Sequence, residues 1–167
     1  MTKVSQFVFR KFDGTKIVDV NKYVKDWVTV HPYGNVTIGC DSQTHSRWVK
    51  YAISIVMHNV DENGIGHGAH VIYSTVVDKN KSTKKDVYSK LWAETEYTML
   101  AAELLKDCGK KVVVHLDYNS KESEYSNMLY ASGIGYVKGL GYEAFGKPHA
   151  WCATHTADAL CRTAPKK

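Results

Sequence analysis

The sequence lacks the motifs of several large enzyme classes, and each missing motif excludes a kind of chemistry. It contains no P-loop, no HExxH, no glycine-rich nucleotide-binding motif and no GxSxG. Nothing therefore supports a P-loop nucleotidase, an HExxH zinc protease or an α/β-hydrolase. The four cysteines form no CxxC pair and show no zinc-ligand spacing. We expect free, buried thiols in a reducing, cytoplasmic setting.

Long apolar runs, internal repeats and low-complexity linkers are also missing. No segment is apolar over the length that crosses a bilayer, and no signal peptide is recognisable, so we expect no membrane partner. The 167 residues, 44% hydrophobic and 23% charged, fit one ordinary globular domain. A formal net charge of +5 favours polyanionic partners only mildly.

We interpret residues 1–34 as an N-terminal extension that packs on a core domain of residues 35–167. Within the extension, residues 7–12 fit a short strand and residues 19–28 a short amphipathic helix. The sequence Pro-Tyr-Gly at residues 32–34 then marks a turn that separates the extension from the core.

The core domain opens with three β-type runs joined by short loops. They cover residues 35–41, 48–59 and 68–77 and predict an antiparallel meander. Residues 87–107 then place apolar side chains at helical spacing, which predicts a long helix that ends at Gly109.

The rest of the sequence alternates between helical and strand patterns. The nearly continuous apolar run 112–116 is typical of a buried parallel strand. We predict a short helix at residues 123–131, a strand at 135–140, a break at 146–148 and a closing helix at 150–163. The order βββ-α-β-α-β-α predicts an α/β fold, in which helices pack on the faces of a mixed sheet.

Four acidic residues lie at informative positions in that order. Asp41 ends the first core strand and Asp117 ends the buried parallel strand. Glu94 lies early in the long helix, and Asp158 lies in the closing helix. A carboxylate that ends a hydrophobic strand is desolvated and needs a partner, and a divalent cation is one suitable partner.

Such a set of carboxylates matches what Mg²⁺ requires, since this ion takes oxygen ligands and keeps waters and substrate phosphates in its shell. Two ions about 4 Å apart can clamp a phosphodiester, one activating the attacking water and the other stabilising the leaving oxygen. We predict that Asp41 bridges both ions. Asp117 and Glu94 would bind one ion and Asp158 the other. Glu96 competes with Glu94 for the helical position, although Glu94 borders the buried stripe of the helix.

Each of these acids also has an ordinary structural role, which the sequence leaves open. The two aspartates that end strands fit turn positions. On the helices, Glu94 can pair with Lys90, and Asp158 can pair with Arg162, one turn away.

Residues near the four acids are candidates for catalysis or substrate binding. His149, in the loop before the closing helix, has a side chain suited to proton transfer. Ser42 and Gln43 can contact a phosphate or sugar, and Lys147 a phosphate. Tyr118 can stack a base. Each also has an ordinary role: loop hydrogen bonding for Ser42 and Gln43, a solvated surface position for Lys147 and His149, and core packing for Tyr118.

Three further features have two interpretations each. The lysine-rich segment 79–85 can follow a nucleic-acid backbone or be a solvated loop. Trp151 can stack a base, but core packing is the more ordinary role. His115 points to the same strand face as Asp117, and it can be either a core histidine or a site residue.

Three motifs resemble the RNase H-like superfamily: GCDSQ at residues 39–43, VVVHLD at 112–117 and GKPHAWCATHTAD at 146–158. More narrowly, the chain is similar to a small bacterial and phage group of predicted RNase H-related nucleases, from about residue 35 to residue 163. The resemblance implies a five-stranded mixed sheet, with three antiparallel strands followed by two parallel ones, flanked by helices.

The resemblance also implies a site and a reaction. The superfamily's first-strand aspartate matches Asp41, and its helical glutamate matches Glu94. Its fourth-strand aspartate matches Asp117, and its last-helix acid matches Asp158. It implies Mg²⁺ or Mn²⁺ as cofactor, nucleic acid as partner and cleavage that leaves a 3′ hydroxyl.

The substrate and two rival functions stay open at this point. The sequence has no clear basic handle segment, so RNA, DNA and a hybrid are all candidate substrates. A non-catalytic nucleic-acid-binding module on the same fold is one alternative, but all four acids are present. A hydrolase of a small phosphorylated molecule is another, since fold does not fix function.

Overall fold

The computed structural model describes residues 7–79, 87–119 and 127–163, and a five-stranded sheet forms its centre. In chain order, the elements are α1 (Val20–Val30), β1 (Asn35–Thr44), β2 (Val49–Val60), β3 (Gly66–Asp78), α2 (Val87–Leu104), β4 (Val112–Asn119), α3 (Asn127–Gly139), β5 (Glu143–Lys147), a π-helical segment (Cys152–Ala157) and α4 (Asp158–Thr163). The strands lie side by side in the order β3-β2-β1-β4-β5.

The middle strand, β1, pairs differently on its two sides. It runs antiparallel to β2, which runs antiparallel to β3. On its other side it runs parallel to β4, and β4 runs parallel to β5. The predicted fold, an α/β mixed sheet with three antiparallel strands followed by two parallel ones, is confirmed.

The main core lies between one face of this sheet and the helices α1, α2 and α3. Alternate residues of β1 (Val36, Ile38 and Cys40) are buried there together with Leu91 and Met99 of α2. Full burial of an aliphatic side chain contributes about 1.5–3 kcal/mol. This face is therefore the main source of stability, and it fixes α2 against the central strand.

On the opposite face, the π-helical segment approaches the sheet very closely. A Cβ atom at Gly39 would lie 2.7 Å from the backbone nitrogen of Ala153, so only glycine fits at this position of β1. Ala153 and Ala157 are fully buried. These small residues let the closing helix lie against β1, which brings Asp158 towards the end of that strand.

Helix α1 forms where the sequence predicts a helix, and it contacts the core. The Asp19 carboxylate caps its first turn by accepting a hydrogen bond from the Lys22 backbone N–H at 2.9 Å. Val24 and Val28, one turn apart, are buried in the main core. Residues 1–6 lie outside the described residues, and the boundary between extension and core at residue 35 stays a prediction.

The strand predicted at residues 7–12 is wrong. Within the described part of this segment, Arg10 forms isolated bridges to Lys16 and to Tyr73 of β3. The Arg10 backbone N–H donates to the Tyr73 carbonyl at 2.8 Å, and the Tyr73 backbone N–H donates to the Arg10 carbonyl at 3.0 Å. Arg10 is therefore the only residue of the described part of this segment that is bridged to β3, and the segment adds no strand to the sheet.

The strand predicted at residues 135–140 is also wrong, because residues 135–139 belong to α3 and the last strand is β5. A side chain at Gly133 would collide with the ring of Tyr118, so glycine is required there although it weakens a helix. Ile134 and Val137, three residues apart, form the buried face of α3. The predicted break at 146–148 overlaps the end of β5.

The position of the closing helix is confirmed. Its first part, however, is π-helical rather than α-helical. Residues 120–126, which include the start of the helix predicted at 123–131, lie outside the described residues. None of the described helices is both long and apolar enough to span a bilayer. All four cysteines are buried.

Candidate metal centre

Asp41 and Asp117 lie side by side where the pairing of β1 with β4 stops. The last parallel pair joins Gly39 to His115, and each aspartate follows its strand's member of that pair by two residues. Side chains two residues apart on a strand point to the same face. In open α/β sheets, ligands bind beyond the carboxyl ends of parallel strands, which is where both aspartates lie.

The Asp41 carboxyl group faces the carboxyl groups of Asp117 and Asp158. It is hydrogen-bonded to Asp158 and accepts the backbone N–H of Ser42. Burial, together with the charges of Asp117 and Asp158, raises the pKa of Asp41 to about 7. Two carboxyl groups can bond directly only while one of them keeps a proton, and a cation between them would replace that proton.

Glu94 reaches the same place from α2 and is only 4% exposed. Its Oε1 atom accepts the Ser42 hydroxyl at 2.5 Å, whereas Oε2 is buried and has no hydrogen-bond partner among the described residues. Burial, with the charge of Asp41, raises the pKa of Glu94 to about 8. A buried oxygen without a partner is costly, and this one is free to bind a cation.

The neighbouring acid of α2, Glu96, lies elsewhere. It is exposed and lines a surface cavity with Glu103, Lys110 and Tyr142, near the amino end of β4. The geometry thus favours Glu94 over Glu96 as the helical acid of the cluster.

The other two aspartates have cationic partners inside the protein. Lys147 Nζ lies 2.8 Å from Asp117 Oδ1, and the Thr154 hydroxyl donates to the same oxygen at 3.0 Å. Arg162 Nε donates to Asp158 Oδ1 at 2.9 Å, which is the ion pair that the helical spacing suggested. These contacts offset part of the negative charge that four neighbouring acids would otherwise concentrate.

The donor set fits a divalent cation although the carboxylates are not gathered into ligand geometry. Among the described residues, no three His, Cys, Asp or Glu side chains converge closely enough to form a metal-binding group. Each acid is instead held by a proton, a hydroxyl or an internal cation. The fit rests on the chemistry of the donors, since oxygen atoms alone suit Mg²⁺ or Mn²⁺, and on the unpartnered Glu94 Oε2.

The remaining predicted residues lie around this cluster in different situations. Ser42 links two of the acids, Asp41 through its N–H and Glu94 through its hydroxyl. Gln43 follows on β1 and is half-buried. His149 is exposed in the loop between β5 and the π-helical segment, where its backbone N–H donates to the Gly146 carbonyl at 2.9 Å.

Tyr118 lies in the core, so its position does not suit the base stacking that we predicted. It is 1% exposed. Its hydroxyl is hydrogen-bonded to the Thr95 hydroxyl at 2.5 Å and donates to the Leu91 carbonyl at 3.2 Å. The reason is the side on which Tyr118 points: it faces α2 and α3, whereas Asp117, one residue earlier, faces the π-helical segment.

His115 is a satisfied core histidine. It is 4% exposed, and its Nδ1 accepts the Cys152 backbone N–H at 3.1 Å. Burial lowers the pKa of His115 to about 4, so the ring is neutral at neutral pH. It therefore anchors the start of the π-helical segment to β4.

The sequence interpretation missed Arg47, in the turn between β1 and β2 at the same end of the sheet. Residues 45–48 connect β1 to β2, and Arg47 and Trp48 line a shallow surface pocket with Val77 and Lys79. A basic residue, Arg47, in the turn after the strand that carries the first aspartate was the available signal. Lys79 is the only member of the lysine-rich segment 79–85 within the described residues.

Comparison with known proteins agrees with this architecture. A family model described as Ribonuclease H-like matches residues 17–162, which include all four acids and every strand of the sheet. No curated protein and no solved structure matches the chain. The matched family has a nuclease-type fold, and its match covers most of the sequence. The chain therefore belongs to the ribonuclease H-like family.

Proposed function

We propose that this protein is a nuclease that hydrolyses phosphodiester bonds of nucleic acid with the help of two Mg²⁺ or Mn²⁺ ions. One observation carries the proposal. The half-buried Asp41 and the buried Glu94 lie together at the carboxyl end of the central strand, and Glu94 Oε2 has no hydrogen-bond partner in the described part of the chain. Burying such acids costs stability, and binding a cation is a function that offsets this cost.

The positions of the acids suggest how they would share the ions. Asp41 lies between the others and would contact both ions. Glu94 and Asp117 would hold one ion, and Asp158 would hold the other. Bound there, the ions would supply an activated water and stabilise the charge that develops on the leaving oxygen.

The neighbours of the acids would orient them. Ser42 fixes Glu94, and Thr154 fixes Asp117. Outer contacts of this kind typically change metal affinity or activity by about 10- to 100-fold when removed. Lys147, with its side chain 35% exposed, would contact a substrate phosphate beside Asp117. His149 is the candidate for proton transfer.

Basic residues on the opposite side of Asp41 would guide the substrate backbone. Arg47 and Lys79 are both exposed and line the pocket at the β1–β2 turn. With a net charge of +5 on the whole chain, these residues favour a polyanion over a small phosphorylated molecule. We expect their contribution to weaken as salt is raised.

The test is incubation with labelled single-stranded, duplex, hybrid and branched nucleic acids in Mn²⁺ or Mg²⁺. Asp41→Asn is the inactive variant, and Asp61→Asn, in the exposed β2–β3 turn, is the matched control. We expect metal-dependent cleavage by the wild type and by Asp61→Asn, and a loss of at least about 100-fold in Asp41→Asn. Equal cleavage by Asp41→Asn would mean that a contaminant cuts the substrate, which removes the catalytic proposal.

A further inference from the structure

Two exposed aromatic side chains flank the buried His115 beside the carboxylate cluster. Phe145 of β5 is 38% exposed, and Trp151, which precedes the π-helical segment, is 39% exposed. Single exposed apolar residues are common on soluble proteins and need no explanation. What distinguishes this pair is how the rings are held and what lies next to them.

Both rings pack against the same histidine in the same way. The centroid of Phe145 lies 6.1 Å from that of His115 with an interplanar angle of 86°, and Trp151 lies at 5.1 Å and 85°. His115 is itself fixed by the hydrogen bond from the Cys152 N–H. The two aromatic rings are therefore held in place by a rigid, neutral support, which lowers the entropy cost of binding another ring.

The strand register places the aromatic pair next to the candidate metal centre. Phe145 lies beside His115 in the parallel pairing of β5 with β4. Two residues further along these strands, where the pairing register shifts, come Lys147 and Asp117, joined by their 2.8 Å ion pair. Two residues of strand span about 6.6 Å. On this sheet face, the side chain next to the ring-bearing position of the strand pair is therefore that of Asp117.

We propose that Phe145 and Trp151 form a stacking platform for unpaired bases of the substrate strand, next to the phosphate that is cleaved. This inference rests on the proposed nuclease function and narrows its substrate. Aromatic side chains stack on any base, because every base has a π-face. The bases of an intact duplex are already stacked on one another, so the platform selects single strands or ends and junctions with unpaired bases.

Charge complementarity favours a nucleic acid over an apolar protein segment as the occupant. Lys147 lies at the inner end of the platform, where the strand backbone would pass. On the other side of the cluster are Arg47 and Lys79. A strand whose backbone meets Lys147 can lay its neighbouring bases on Trp151 and Phe145.

The experiment measures binding separately from cleavage. Asp41→Asn protein without metal is titrated into fluorescein-labelled single-stranded oligonucleotides, a matched duplex and a single strand with abasic sites, and anisotropy is recorded. Adding Trp151→Ala or Phe145→Ala is expected to weaken single-strand binding by about 5- to 150-fold and to change duplex binding little. Trp151→Phe keeps a ring and should retain most of the affinity.

Two controls distinguish stacking from a general effect. Phe12→Ala removes a more exposed ring, at 67%, which packs on Tyr73 of the distant edge strand β3, and it should leave binding unchanged. The abasic strand should bind the parent protein and Trp151→Ala equally. Thermal unfolding of each variant identifies any that fail to fold. If Trp151→Ala does not fold, Phe145→Ala still tests the loss of a ring, and Trp151→Phe still tests its retention.

The outcomes separate this inference from the nuclease proposal. Ring-dependent binding of single strands supports the platform even if the wild type cuts no substrate. The platform is overturned if Trp151→Ala and Phe145→Ala bind single strands as tightly as the parent, or if the abasic strand binds as tightly as the intact one. Either result can occur together with metal-dependent cleavage, which would leave the nuclease proposal standing.

Discussion

The acids of the β2–β3 turn and the acids at the end of β1 are placed in opposite environments. Asp61, in the turn, accepts the backbone N–H groups of Asn63 and Ile65 and pairs with His67 Nε2 at 2.8 Å. These hydrogen bonds, that of His67 above all, lower the pKa of Asp61. At the end of β1, burial and neighbouring carboxylates raise the pKa of Asp41 and Glu94.

The difference shows which acids the fold itself satisfies. The turn supplies donors for the charged form of Asp61, so this charge stabilises the protein without any ligand. The contacts of Asp41 and Glu94 with Ser42 also favour the charged forms, but burial and the neighbouring acids outweigh them, so folding pushes both groups towards the neutral form. Acids that weaken the metal-free protein while lying together at the carboxyl end of a central strand are typical of a functional site.

The largest expected effect comes from substituting Glu94 of α2, with the neighbouring Glu96 as its comparison. Glu94→Gln should reduce metal-dependent cleavage by at least about 100-fold, because it removes a ligand charge. The same substitution should raise the melting temperature of the metal-free protein at pH 9 by about 2 °C or more, because a buried charge disappears. Cleavage assays and thermal unfolding in EDTA measure the two effects.

The exposed Glu96→Gln is the matched control for this pair. It should change neither activity nor stability appreciably, since the Glu96 side chain is exposed on the same helix. A loss of activity in Glu96→Gln with normal activity in Glu94→Gln would reverse the assignment of the helical acid.

The second effect is a pH dependence of stability in the metal-free protein. The pKa values of Asp41 and Glu94, about 7 and about 8 when folded, lie above their ordinary values of 3.8 and 4.5. The stability that protonation provides is full below about pH 4 and is lost as the pH rises through 7 and 8. The melting temperature in EDTA should therefore fall between pH 5 and pH 9.

Saturating Mn²⁺ should reduce this loss, because an ion replaces the protons. The double variant Asp41→Asn/Glu94→Gln is the control, and its melting temperature should depend less on pH and on Mn²⁺. If the double variant loses as much stability as the wild type over this range, the buried acids are not the cause.

The smallest effect should appear on the acid side, at Asp61. Its pKa is lowered on folding, so its contribution is present above about pH 4 and is lost as the pH falls through the folded value. Asp61→Asn should lower the melting temperature slightly at pH 7 and not at pH 2.5. A decrease of equal size at both pH values would mean that the side chain, rather than its charge, matters.

The sequence predicted the mixed sheet and singled out the four acids because both inferences depend on local patterns. Period-two runs and one long amphipathic helix gave the mixed sheet, and the ends of β1 and β4 gave Asp41 and Asp117. Helical geometry distinguished Glu94 from Glu96, since two residues on a helix lie about 200° apart. Each of these inferences needs only neighbours in the chain.

The misplaced last strand could not be corrected from local pattern. Its glycine-rich sequence is unfavourable for a helix, yet Gly133 is required because α3 lies against the Tyr118 ring. Tyr118 was itself assigned to the site for the same reason: only the packing of α3 shows that its ring is covered. Both errors arise from a contact between residues distant in sequence.

Sequence periodicity also could not predict which residues of the closing helix face the site. A π-helical turn has more residues than an α-turn, so the residues that face the site after Trp151 do not follow a 3.6-residue repeat. Thr154, which contacts Asp117, was missed for this reason. The ion pair of Lys147 with Asp117 joins β5 to β4 and likewise depends on tertiary structure.

Crystals grown with saturating Mn²⁺ give the most direct test, through anomalous diffraction recorded near the manganese edge. We expect two anomalous peaks among the carboxylates of Asp41, Glu94, Asp117 and Asp158, with Asp41 contacting both. Absence of peaks at these carboxylates, in crystals where Mn²⁺ has free access to them, would contradict the central claim that the four acids form a metal centre.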